Sequence, residues 1–408
     1  MRFLWLALGW IGCATPSDMD AEYKDQEDGS AEVAGDGAPD DADGGGSGGS
    51  GSDDGSPSDG GSTDGGGSVD GGGSTGDGTT GGDTDGGVPS LPCPDGVVCF
   101  DEFPASHSGD TSRSAIDEFD SYDCAPSTPE SGPEVVYRLT VSEPGLLALE
   151  LTDMQSGADV DVHLLASDSA SDCISRGHWV AGGFVEAGNY WVVADSWTDT
   201  SGAEYPGSYT LNAGFTAVSD LVGMGMDEVV AEDALYAMGV AFENEDPDHL
   251  FFSVTDFSLH SSERRMWVLD LFDGALMWNL HVTHGENSSS GDPAYSNVFS
   301  NINDSHQSSL GMMRGAELYS GSFGGSMRID GVEDGYNDLV RPRAIVMHGA
   351  EYARAEFVSE YGRAGESWGC PAVDDRLVGD VIDVLSDGGM MFFWYPDGDW
   401  SNHSDYLR

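Results

Sequence analysis

Basic residues are scarce. Fifteen Lys and Arg stand against 73 Asp and Glu, a formal net charge of -58. None occurs between Lys24 and Arg113. A surface of that sign repels a phosphate backbone, which argues against nucleic-acid binding and leaves solubility as the plain reading of the charge. No apolar run is long enough to span a bilayer as a helix. The best candidate, "MRFLWLALGWIGCATP" at the N-terminus, is too short for that and reads as a secretory signal. There is no H-E-x-x-H motif, so the usual signature of a zinc hydrolase is missing. Cysteine is rare as well: the six are Cys13, Cys93, Cys99, Cys124, Cys173 and Cys370.

Glycine, serine and aspartate are abundant, and they are concentrated. Residues 14–90 contain "GGGSGGSGSDDGSPSDGGSTDGGGSVDGGG". Such a stretch buries too little apolar surface to offset its ordering entropy and is expected to act as a disordered linker. Its core of about 65 residues gives a root-mean-square span of roughly 45 Å. Residues 1–13 are the expected leader. The small residues before Cys13 resemble a bacterial lipobox, which implies a lipidated Cys13 and a membrane anchor; Trp10 and the single Arg2 depart from that pattern.

Residues 91–216 carry the short runs "EVVYRLTV", "GLLALELT", "DVDVHLLA" and "NYWVVADSW", separated by turn signals such as "EPG" and "YPGS". That spacing predicts an antiparallel all-β sandwich. The segment resembles the pre-peptidase C-terminal type of module in "SGPEVVYRLTV", "DVDVHLLA", "CISRGHW" and "AGNYWVVADS", which implies an accessory or binding role. Asp153, Asp159 and Asp161 are of the type that binds Ca²⁺, though solvated carboxylates are the simpler reading.

Residues 219–408 read as an α+β, mainly β unit. "GMDEVVAEDALYAMGVAFEN" has helical spacing, with Val229, Val230, Ala234, Met238 and Ala241 near one face. "RRMWVLDL" and "ALMWNLHV" flank "FDG" as a hairpin. Strands are predicted at "SMRIDGV" and "RAIVMHGA", helices at "EYARAEFVSEYG" and "DRLVGDVIDVLSDGG", and a closing buried strand at "MMFFWYP".

Export favours disulfides. Cys93 with Cys99 and Cys124 with Cys173 are the expected pairs. If Cys13 carries lipid, Cys370 is left as a reduced thiol and so as a candidate for chemistry; a bridge that includes Cys370 would sink the nucleophile assignment. A thiol needs a base. The strand "AIVMHGA" ends at His348, whose neutral imidazole suits that task, and Gly349 lets the chain turn. In "ESWGCPAV", Gly369 permits close approach of a substrate, Ser367 can orient the turn, and backbone N–H groups of Trp368 to Cys370 are candidate oxyanion donors. "HG" followed by "S-x-G-C" resembles the L,D-transpeptidase catalytic domain, closest to its variant murein group, with further likeness in "HVTHGENSS", "FSNINDSHQSSLG" and "GRAGESWGCPAV". The resemblance implies that Cys370 is the acylated nucleophile, His348 its base, the Gly349 carbonyl a support for the imidazole, and Ser367 with Gly369 the oxyanion turn. It implies peptidoglycan stem peptides as substrate, no cofactor, and a place in the bacterial envelope. Trp368, Pro371 and Ala372 depart from the commoner family pattern.

Two rivals exist. A metal hydrolase would draw on His260, His281, His284 and His306, but "HVTH" on a regular strand points its histidines to opposite faces. A non-catalytic, wall-binding surface lipoprotein would suit the sandwich and linker equally well.

Overall fold

The structure, a computed structural model, describes residues 92–408. The leader with Cys13 and the Gly/Ser/Asp-rich linker lie outside the described residues. Strands β1 (Val98–Phe100), β3 (Val135–Val141), β8 (Gly188–Ser196), β5 (Val160–Leu165) and β6 (Cys173–Gly177) form one sheet in that order. Strands β2 (Ala105–Asp110), β9 (Ser208–Ala217), β4 (Gly145–Thr152) and β7 (Val180–Val185) form a second. Alternate residues of both sheets, among them Tyr137, Leu139, Leu147, Leu149, Val162, Leu164 and Leu211, close a shared core, as the period of a strand requires. The bonds Cys93–Cys99 and Cys124–Cys173 are both present.

Strand β4 is buried on both faces. Leu147 and Leu149 enter the sandwich core, while Leu146 and Ala148 pack with the helix Glu228–Glu243. This explains why "GLLAL" is continuously apolar rather than alternating. The helix buries Val230, Ala234, Met238 and Ala241 as expected, but Val229 is 57% exposed and does not belong to that face.

The remaining strands build an eight-stranded sheet in the order β12 (Ala275–Leu280), β11 (Met266–Asp270), β10 (Phe251–Asp256), β19 (Met390–Trp394), β14 (Gly311–Gly321), β15 (Gly324–Gly331), β16 (Val346–Ala350) and β18 (Ala372–Asp374). A two-residue pair joins β13 (His284–Gly285) to β17 (Glu366–Ser367). β19 is wholly buried between β10 and β14. The hairpin β11–β12 falls where "FDG" predicts it. The chain does not close on β19, because the short helix Gly398–Ser401 follows it and buries Trp400 against Glu333.

Strands β16 and β18 run parallel, which demands a crossover. The helix Ala355–Tyr361 supplies it. The crossover sets His348 opposite Ala372 in register, two residues beyond Cys370.

Candidate active site

His348 lies on β16 and is fully buried. Its Nδ1 sits 3.1 Å from the Gly349 carbonyl. That contact fixes the tautomer: Nδ1–H donates, and Nε2 keeps its lone pair. Nε2 is buried and has no hydrogen-bond partner among the described residues. The ring stacks on Phe323, centroids 4.3 Å apart. Burial pulls the imidazole below its ordinary pKa, partly countered by the Gly349 carbonyl, so at neutral pH the ring is a neutral base rather than an imidazolium.

Ser367, Gly369 and Cys370 meet in one tight turn. The Ser367 hydroxyl donates to the Cys370 carbonyl at 2.7 Å and accepts from the Gly369 N–H at 3.1 Å. This is an ST-type turn closed from inside. The Gly369 N–H is therefore engaged within the turn, and the oxyanion donors have to be sought at other amides. Gly369 has φ +110°, and a Cβ there would lie 2.6 Å from the Gln307 carbonyl oxygen. Only glycine fits such a position. The Cys370 sulfur is buried beside the Val346 N–H, 3.3 Å away.

The expectation that Cys370 stays reduced is not met. No described cysteine is a free thiol, and Cys370 itself is disulfide-bonded. A disulfide sulfur is an electrophile and cannot attack a carbonyl, so the site as it stands is an oxidised one. The two other expected pairs already join Cys93 to Cys99 and Cys124 to Cys173.

Several supports escaped the sequence reading. Arg265 is completely buried. It donates to the Val282 carbonyl, to the Leu259 carbonyl at 2.9 Å and to His284 Nδ1 at 2.7 Å. Burial lowers its pKa to about 9. The His284 carbonyl lies 3.4 Å from the Ser367 hydroxyl, and β13 pairs with β17. The segment before Cys370 is thus braced from the side of Arg265. An arginine opening the apolar strand "MWVLD" was the available signal, since a buried guanidinium must find carbonyls. Trp368, standing before Gly369, is covered by His306, the two rings nearly parallel at 4.4 Å, and His306 Nδ1 lies 2.7 Å from Glu286.

The four histidines of the metal reading are engaged separately. His281 Nε2 meets the Ser262 carbonyl, His284 meets Arg265, His260 meets Ser262 and His306 meets Glu286. Among the described residues the one cluster of metal-ligating types is Asp159, Asp161 and His178 in the sandwich. Asp153 is not part of it, and Arg176 already pairs with Asp161.

Residues 225–394 match the sequence family described as the L,D-transpeptidase catalytic domain. Over this stretch the chain resembles that family. The match takes in the β16–β18 pair, the Ser367–Cys370 turn and the Arg265 brace. Family members act on the stem peptides of peptidoglycan, which makes a peptidoglycan-modifying enzyme the coarse reading. No curated protein matches the chain. Two solved structures are similar to part of the chain. One is the pre-peptidase C-terminal domain of collagenase from Bacillus anthracis, 13% identical, with 31% of this chain and 99% of that one covered and a TM-score of 0.21. The other is PliG of Aeromonas hydrophila, a periplasmic inhibitor of g-type lysozyme, 13% identical over 29% and 96%, also with a TM-score of 0.21. Both scores are too low to carry further weight.

Proposed function

We propose that the chain is an exported, envelope-bound L,D-transpeptidase that works when Cys370 is reduced. His348 Nε2 takes the Cys370 proton. The thiolate attacks the carbonyl that joins an L-centre to a D-residue in a stem peptide. The amide bond breaks, D-alanine leaves with the proton returned by His348, and the stem peptide is held as a thioester. An amine from a neighbouring stem then attacks, loses a proton to His348 and frees the thiol, which is cross-linking. Water in place of the amine gives carboxypeptidase activity. Gly349 holds the imidazole, while Ser367 and Gly369 shape the turn that carries the sulfur. In this reduced form Cys13 is the lipid anchor, a role that excludes it from any disulfide, and residues 14–90 are the tether.

One observation carries this reading: the parallel register of β16 and β18, which brings the Cys370 turn next to a buried histidine whose Nδ1 is tied and whose Nε2 is without a partner. A buried imidazole nitrogen left without a partner supports a role as base. The test is incubation of the reduced protein with muropeptides and separation of the products by mass. Cross-linked dimers or products shortened by one D-alanine are expected. Unchanged muropeptides would overturn the reading.

A second reading is favoured by the oxidation and complete burial of Cys370. In it the chain binds cell wall without chemistry, and Cys370 is structural. Sedimentation with intact sacculi, equal for oxidised and reduced protein and without any product, is the result it expects.

A further inference from the structure

Thr283 is fully buried and belongs to no assigned role. Its hydroxyl donates to the Cys370 carbonyl at 3.1 Å and accepts from the Ala372 N–H at 3.1 Å, and its own N–H donates to the Ala372 carbonyl at 3.0 Å. The residue between is Pro371, which has no N–H and cannot continue a ladder. β18 therefore begins at Ala372 and pairs with β16 on one side only. On its other side Thr283 stands in for a strand. One hydroxyl bridges the gap that Pro371 leaves, tying the last residue of the turn to the first residue of the strand.

The Cys370 carbonyl thus receives two hydroxyl protons, from Ser367 within the turn and from Thr283 outside it. Two donors arriving from different elements fix the peptide plane after Cys370. The plane sets the direction of the Cα–Cβ bond, and hence the place of the sulfur relative to β16. Neither contact depends on the oxidation state of the sulfur.

We propose that Thr283 is a positioning residue, whose hydroxyl holds the Cys370 carbonyl and thereby aims the sulfur at its base and substrate. This rests on the function proposed above. The expected effect is large for a group that touches no substrate, since a misplacement of about 1 Å costs on the order of 10²-fold in rate.

The test compares reduced wild type, Thr283→Val and Thr283→Ser in the full chain. Two readouts are taken: acyl-enzyme formation with a stem tetrapeptide, and the pH dependence of Cys370 alkylation by iodoacetamide. Thr283→Val keeps the shape and loses the hydroxyl. Its acylation rate is expected to fall about 10- to 100-fold with little change in KM, as for loss of geometry alone, and its alkylation profile is expected to move. Thr283→Ser keeps the hydroxyl and is expected to restore both. Wild-type behaviour of folded Thr283→Val overturns the proposal. So does Thr283→Ser slowed as far as Thr283→Val, or slowed fully where Thr283→Val fails to fold, because the effect would then lie in methyl packing. The alkylation series needs no substrate. Absence of acyl-enzyme in wild type would therefore sink the function, while the profiles still decide the role of Thr283.

Discussion

Replacing Gly369 by alanine should damage the turn more than its backbone angle alone accounts for. Two costs arise at this position. A left-handed φ of +110° is strained for any residue with a Cβ, at about 1–3 kcal/mol. The new Cβ would also lie 2.6 Å from the Gln307 carbonyl oxygen and 2.9 Å from Ile345 Cδ1. The isoleucine methyl can rotate, but a backbone carbonyl cannot, so overpacking adds about 1–3 kcal/mol. Loss of glycine's freedom in the unfolded chain returns only about 0.4–1 kcal/mol. The net expectation is a destabilisation of about 1–5.5 kcal/mol, with the terms not strictly additive. Gly362 supplies the control, since it has φ +75° at the end of the helix Ala355–Tyr361 and no atom near its would-be Cβ. Gly362→Ala should meet the angular strain alone, about 1–2 kcal/mol. Urea unfolding of both variants isolates the contact term as their difference. If Gly369→Ala is no less stable than Gly362→Ala, the close packing of the turn on Gln307 is refuted.

Three further expectations follow from buried groups. Arg265→Met leaves the Val282 and Leu259 carbonyls and His284 Nδ1 without their donor, so unfolding in urea should show a loss of about 2–4 kcal/mol; unchanged stability would mean that the guanidinium is no brace. Asp195 accepts from Tyr122 at 2.6 Å, and burial pushes its carboxyl up to about 9. With a folded value above the unfolded one, its stabilisation is complete below about pH 4 and drains away as pH rises towards 9, by at most about 1.4 kcal/mol per unit. Asp195→Asn should flatten that slope in urea midpoints measured from pH 5 to 9, and parallel slopes would contradict it. His348 is pulled below the ordinary histidine range by burial. Acylation by reduced protein should therefore persist as pH falls through 6.5 and fail only lower, whereas an acid limb centred at or above 6.5 would show a solvated imidazole.

The strands of the sandwich were legible where their residues alternate or run apolar, as in β3, β4, β5 and β8. β2 was not, because "ASHSGD" is an edge strand held only by β9 and needs no apolar face of its own. β14 was missed for a different reason: "GMMRGAELYSG" opens with glycine at a positive φ and carries a register shift near Gly315. The strand that carries His348 was legible in "AIVMHGA", and the register of β16 and β18 sets His348 opposite Ala372. Thr283 and Arg265 were illegible because their roles arise from contacts with backbone carbonyls far along the chain, which leave no mark in local periodicity. Counting cysteines leaves Cys370 reduced only on the condition that Cys13 carries lipid, and Cys13 lies outside the described residues.

The most direct test is the mass of the reduced, intact protein after exposure to a stem tetrapeptide. A covalent adduct equal to the peptide minus D-alanine should form on Cys370 and vanish when the oxidised protein is used. It should be absent from Cys370→Ala and slowed by about 10²–10⁴-fold in His348→Ala, the usual worth of a positioned base. An adduct that persists in Cys370→Ala, or no adduct on fully reduced wild type, would contradict a cysteine acyl-enzyme and leave the wall-binding reading in its place.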